Sequence, residues 1–155
     1  VEAELTWLPT DGLTLYANLG YSDAKYDRLA PTSRALQYGA TDLPLLPDFT
    51  SQLGFSFQRP VSAGLKLRLG ADVHGSSSYY TELQNIMKID AYQRVDAYLG
   101  VASADDRWTA TLSGRNLTDE LTYVTGVIDL ANAGTQALAA LRPREWAFNV
   151  SYRMP

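Results

Sequence analysis

The sequence predicts an all-β fold, an antiparallel meander of about seven strands that forms part of the wall of a transmembrane β-barrel. Three observations carry that expectation. Apolar and polar residues alternate strictly through segment after segment, the period of a strand with two unlike faces. The connections between these segments are short and long by turns. Aromatic residues of the apolar face gather toward the strand ends, as expected where a barrel wall meets the two surfaces of a membrane.

Composition bounds the alternatives. The chain has 155 residues, 46% hydrophobic and 19% charged, enough for one ordered domain. A net charge of -4 without any basic run argues against nucleic acid as a partner. There is no cysteine and one histidine, so disulfides and thiolate metal sites are ruled out, and no cofactor is expected. No apolar run approaches the roughly 18 residues of a membrane-spanning helix. The chain opens on VEAELTWL with no visible signal peptide, already in mid-pattern, as a piece of a longer chain would.

Taken in order, VEAELTWL sets Val1, Ala3, Leu5 and Trp7 against Glu2, Glu4 and Thr6. PTDG (9–12) is a hairpin turn. LTLYANLGYSDAKY (13–26) puts Leu13, Leu15, Ala17, Leu19 and Tyr21 on one face. Residues 27–48, with three prolines, form a long loop. FTSQLGFSFQR (49–59) aligns Phe49, Leu53, Phe55 and Phe57, and PVSAG (60–64) turns the chain. LKLRLGADVHG (65–75) opposes Leu65, Leu67, Leu69, Ala71 and Val73 to Lys66, Arg68, Asp72 and His74. After a second long loop (76–90), AYQRVDAYLGVA opposes Val95, Ala97, Leu99 and Val101 to Arg94, Asp96 and Tyr98. SADD (103–106) is a tight turn, and RWTATLSGRNL aligns Trp108, Ala110 and Leu112 against Thr109, Thr111, Ser113 and Arg115. A third long loop spans 119–140, and its Ala-rich stretch suggests a short helix or a segment packed over a barrel mouth. EWAFNVSYRM closes the chain with Trp146, Phe148, Val150, Tyr152 and Met154 on one face.

Strands of about 9 to 12 residues suit tilted membrane strands. With the short turns on the periplasmic side, Trp7, Phe57, Trp108 and Tyr152 fall near one membrane surface and Tyr21, Phe49 and Trp146 near the other. A soluble β-sandwich or lipocalin-like binder also alternates, but its connections need not sort by length. Seven strands leave two unpaired edges, so the meander is expected to belong to a larger barrel as its last part. A passive porin would show the same girdles. An outer-membrane phospholipase is disfavoured because only His74 is available and no nucleophile pattern surrounds it.

Four stretches in register resemble one family. RNLTDELTYV (115–124) resembles the asparagine-leucine-x-aspartate signature near the end of TonB-dependent outer-membrane receptors, and RPREWAFNVSYRM (142–154) resembles their last strand. VEAELTWLPTDGLTLYANLGYSDAKY and LPDFTSQLGFSF fit the same region, so the resemblance covers nearly the whole chain. The signature residues are Asn116, Leu117, Asp119, Pro143 and Arg144. The chain departs from the pattern by ending Met154-Pro155 rather than on an aromatic residue, so either the terminus is trimmed or Tyr152 takes that part.

The resemblance implies that residues 1–155 are the C-terminal segment of a barrel of about 22 strands, with the plug domain and N-terminal strands upstream. It implies a cell outer-membrane location in a Gram-negative bacterium. It also implies uptake of a scarce nutrient (siderophore-iron, cobalamin, haem or saccharide) and no enzymatic activity. The implied partners are outer-membrane lipid, the protein's own plug and N-terminal strands, the TonB energy-transducing complex and a small-molecule cargo.

On that reading Lys66 and Arg68 sit low in the lumen, pairing with plug carboxylates or keeping the lower lumen hydrated. Asp72, His74, Arg94, Asp96, Tyr98 and Arg115 also face the lumen, and the charges among Arg94, Asp96 and Arg115 form a cross-strand network or touch an anionic cargo. His74, beside Asp72, reads as a solvated strand-end residue, with a metal or pH role as the sharper alternative. Asn116-Leu117-Thr118 matches a glycosylation sequon, but Asn116 reads better as a strand-end residue bonding the backbone. Cargo-contacting candidates lie in the long loops: Arg28, Arg34, Tyr38 and Asp42 in the first, Tyr79, Tyr80 and Glu82 in the second.

Overall fold

The computed structural model describes residues 1–129 and 134–154. Seven long strands form one antiparallel sheet: β1 (Glu2–Thr10), β2 (Leu13–Tyr21), β3 (Phe49–Ser62), β4 (Leu65–Ser76), β7 (Tyr92–Ser103), β8 (Trp108–Arg115) and β11 (Glu145–Tyr152). Each neighbours the next of these in the chain, so the sheet is a meander. Two hairpins stand apart from it, β5 (Tyr79–Tyr80) with β6 (Lys88–Ile89) and β9 (Tyr123–Asp129) with β10 (Thr135–Ala140). One helical turn, α1 (Arg34–Gln37), lies in the first long loop.

Boundaries shift where local chemistry overrides the pattern. β1 continues through Pro9 to Thr10, and the turn contracts to Asp11-Gly12, with Gly12 at φ 79°. That left-handed conformation, with the Gln58 carbonyl where a side chain would lie, admits only glycine. β2 ends at Tyr21 rather than at Tyr26; beyond it a single bridge joins Lys25 to Asp42. β3 runs on through Pro60 to Ser62, and the register slips between Pro60 and Ser62, the kind of bulge where a missing N–H is tolerated. The Ala-rich stretch of the third loop is strand rather than helix. Tyr123, Thr125 and Val127 pair with Ala140, Ala139 and Ala137 across the β9–β10 hairpin, and β-branched residues favour that arrangement. Residues 130–133 of the same stretch lie outside the described residues.

Register confirms one apolar face and shows how the strands are staggered. A single lateral row of outward side chains runs Trp7–Leu15–Phe55–Ala71–Ala97–Gly114–Trp146 across all seven strands. Trp7 is three residues from the two-residue turn, whereas Trp146 is the second residue after the third long loop. The row therefore starts near one end of the sheet and finishes near the other. Six steps of ~4.8 Å give a row about 29 Å long. At a tilt of about 35–45° it climbs about 17–20 Å, most of the ~25 Å apolar band of a membrane barrel. Tyr21 pairs with Phe49 at the long-loop end, and Trp108 with Tyr152 at the short-turn end. Arg59 shares the outward parity but lies one outward position beyond Phe57, toward the β3–β4 turn.

Candidate functional site

On the opposite face the register brings four charged or titratable residues into one block. Asp72 lies directly across from Asp96, and His74 directly across from Arg94. Like charges so placed repel. Each carboxylate has a nitrogen partner on its own strand: His74 Nε2 is 2.5 Å from Asp72 Oδ2, and Arg94 Nη2 is 3.6 Å from Asp96 Oδ2. The Tyr16 hydroxyl donates to Asp72 Oδ1 at 3.4 Å, and the Asn116 backbone N–H donates to Asp96 Oδ1 at 2.8 Å. Ligand-type atoms of Asp72, His74 and Asp96 converge within 4.8 Å of one another. Arg94 in the same block opposes a further cation there, so the arrangement is first a lattice in which both carboxylates are engaged from within the chain. Tyr16 and Tyr98 flank it, each ring lying over a glycine of the next strand, Gly54 and Gly70, where no side chain fits.

Lower on this face Lys66 is engaged within the chain. Its Nζ is 2.7 Å from Asp106 Oδ2 in the β7–β8 turn. Arg68 faces Gln58 and Gly100, and among the described residues it forms no ion pair. Of the two basic residues expected low in the lumen, Arg68 alone keeps its charge open to a partner.

The signature residues form a knot above β8. Asn116, only 1% exposed, adopts φ 50°. Its Nδ2 donates to the carbonyls of Glu120 (3.0 Å) and Arg142 (3.3 Å), and its Oδ1 accepts from the Glu120 N–H at 3.1 Å. The sequon nitrogen is thus buried and engaged. The Leu117 N–H donates to the Val95 carbonyl and extends the ladder beyond β8. Arg144 Nη2 meets Asp119 Oδ2 at 3.0 Å, while Pro143 is exposed between the two arginines. Arg115 stands opposite Glu145 in register, but Glu145 is drawn to Arg142 at 3.7 Å. Asparagine tolerates left-handed backbone, and here one side chain ties the start of the third loop to its end.

The loop candidates divide. Arg28, Arg34 and Tyr38 are exposed around α1 and free to meet a ligand. Tyr79 is half-buried and its hydroxyl donates to the Val124 carbonyl at 2.8 Å. Burial, with Tyr92 nearby, pushes its phenol above the usual range. Lys88 lies 5.7 Å above the Tyr80 ring. Glu82 points inward: its carboxylate accepts from the Thr81 hydroxyl (2.7 Å) and from the backbone N–H groups of Ile86 and Met87. Burial opposes its ionisation, but these donors outweigh burial and hold the carboxyl below the usual carboxylate range. Glu82 therefore organises its own loop. Sequence reasoning missed Asn85, also in the left-handed region at φ 54°, whose only advance signal is the tolerance of asparagine for that conformation.

Comparison with known proteins places this geometry. A family model described as TonB dependent receptor-like, beta-barrel, matches residues 1–117. The ferric yersiniabactin uptake receptor FyuA from Yersinia pestis is similar in structure with a TM-score of 0.80 at 17% identity, over 96% of this chain and 22% of that one. The siderophore receptor PiuA from Acinetobacter baumannii gives 0.72 at 18% identity, over 97% and 21%. BauA, the ferric preacinetobactin receptor from Acinetobacter baumannii, gives 0.68 at 18% identity, over 97% and 22%. The chain thus spans about a fifth of the length of these receptors, and at such identities the likeness is one of fold. It extends over the 118–154 region that the family model leaves out.

Proposed function

This chain belongs to the TonB-dependent receptor-like β-barrel family, and from that premise we propose that it is the C-terminal part of the barrel of an outer-membrane receptor for a scarce nutrient. In this reading the complete barrel has about 22 strands. It encloses a plug and draws energy from a TonB-type complex. It stands in the outer membrane of a Gram-negative bacterium. The observation that carries it is the climbing row from Trp7 to Trp146, with leucine, phenylalanine and valine outward and Asp72, His74, Arg94 and Asp96 on the other face. Such a wall needs hydrocarbon on one side and water or protein on the other.

For cargo we favour a ferric siderophore. The solved structures it resembles are described as siderophore receptors or as uptake receptors for one. Exposed Arg28, Arg34 and Tyr38 in the first long loop suit an anionic, aromatic chelate, through charge and ring stacking. Arg68 is the residue we assign to a plug carboxylate.

Two measurements test the reading. In the complete receptor, nitroxide labels at Leu67, Leu99 and Phe148 are expected to contact lipid-borne quenchers, and labels at Arg68 and Tyr98 to be shielded from them. The reverse pattern overturns the barrel assignment. A deletion strain grown on a panel of ferric siderophores is expected to lose growth on at least one, in a TonB-dependent way. Uptake that persists without TonB would instead mark a passive channel.

A further inference from the structure

Hydrogen bonds and one buried contact tie the three long loops to one another. The second loop is the hub. The Asn85 side chain reaches into the first loop: its Oδ1 accepts from the backbone N–H groups of Thr41 (2.9 Å) and Asp42 (2.8 Å), and its Nδ2 donates to the Asp42 carbonyl (2.9 Å). One carboxamide thus satisfies three main-chain groups some forty residues away, where water would otherwise serve them. A second tie lies beside it, from the Leu45 N–H to the Tyr80 carbonyl at 2.7 Å. The Glu82 bracket holds residues 81–87 in the shape that presents Asn85.

The same hub grips the third loop on its other side. The Tyr79 hydroxyl donates to the Val124 carbonyl in β9. The buried Met87 sets its sulfur against Gly126, where a side chain would also meet Leu138. The β5–β6 hairpin therefore lies between the α1 loop and the β9–β10 hairpin, bonded to both.

We propose that the three extracellular loops form a single latched cap, pinned to the first loop by Asn85 and to the third by Tyr79 and the Met87–Gly126 seat. A contact on the exposed Arg28–Tyr38 segment then displaces all three loops as one body. A set of independent loops would respond one at a time. This inference concerns the loops' coupling and stands whatever the cargo is.

The test uses the complete, ligand-free receptor, with spin labels at Gln37 and Gln136 and amide exchange resolved by residue. The wild type is expected to give one narrow distance distribution and protected amides at Thr41, Asp42 and Leu45. N85A is expected to broaden that distribution and to speed exchange at those three amides about tenfold or more, with strand amides of β3 and β4 unchanged. G126V, which unseats Met87, is expected to broaden the distribution while leaving Thr41 and Asp42 protected. A wild-type distribution that is already broad overturns the proposal. So does an N85A or G126V receptor as narrow as wild type; should N85A fail to insert, G126V alone decides.

Discussion

The sheet and the loops above it are built to opposite rules. Of the buried hydrophobic side chains among the described residues, Ala35, Ala40, Met87 and Ile89 lie in or beside the loop elements, and only Ala102 lies in the seven-stranded sheet. The sheet leaves Leu5, Trp7, Leu53, Leu99, Phe148 and Val150 exposed. Its order comes from a continuous backbone ladder, which is how strands satisfy their N–H and C=O groups in hydrocarbon. The loops, bathed in water, do what a small soluble domain does: they bury apolar side chains and bracket polar ones. One chain thus follows two solvents, and the boundary between them runs through the aromatic rows at Tyr21–Phe49 and Trp146.

The largest test of that contrast is a charge on the outward face. Leu99 stands mid-strand on β7, opposite Leu69 and Leu112. Leu99→Arg is expected to cost about 2–4 kcal/mol of barrel stability, against ~0–1 for the same replacement at an interfacial position such as Trp146. Urea titration of the complete receptor in lipid vesicles measures both. Equal effects at the two positions would remove the lipid from the argument.

The next effect is smaller and belongs to the seam. Asn116→Ala removes a buried side chain that bonds Glu120 and Arg142 and leaves their part-buried carbonyls without that donor. It also places a residue intolerant of φ 50° there. The expected loss is about 1–3 kcal/mol. Faster amide exchange should be confined to the start of β11 and the end of β8, with β3 and β4 untouched.

These two sites also mark how far the sequence could be read. Leu99 was legible because alternation of period two is a direct projection of a pleated strand, and one face decides the other. The strand order followed, since a meander has only nearest neighbours in chain order. The seam and the cap were not legible in that way. That Asn116 bonds the backbone was legible, but its reach to the Arg142 carbonyl, like the role of Asn85, depends on left-handed backbone and on main-chain groups dozens of residues away, which leave no periodic trace. Glu82 looked like a ligand because a lone carboxylate in a loop carries no sign of the backbone N–H groups that enclose it. The β9–β10 hairpin was hidden by alanine, whose helix propensity yields to cross-strand pairing when the partner is β-branched.

At the short-turn end, Lys66 and Arg68 sharpen the contrast within the sheet itself. Lys66 pairs with an Asp106 side chain that is 57% exposed, so screening limits the pair. Lys66→Ala is expected to change stability by less than about 1 kcal/mol. If the change is several times larger, the lower lumen is drier than the strand pattern implies and a plug seals it. A double-mutant cycle with Asp106→Ala separates the pair from the lysine stem's own packing.

The smallest effect is a titration in the cap that the sheet should not share. The folded-state pKa of Glu82 lies below its ordinary 4.5, so ionised Glu82 stabilises the β5–β6 hairpin. That contribution is complete above the unfolded value and is lost as pH falls through the depressed folded value. Between neutrality and about pH 5 the Gln37–Gln136 distance distribution should therefore stay constant. Below pH 4.5 it should broaden, while labels across β4 and β7 hold their separation. Glu82→Gln keeps one acceptor oxygen but cannot ionise, and it should abolish the acid transition by starting from the broadened state. A transition that persists in that variant would assign the titration to other groups and would detach Glu82 from the latch.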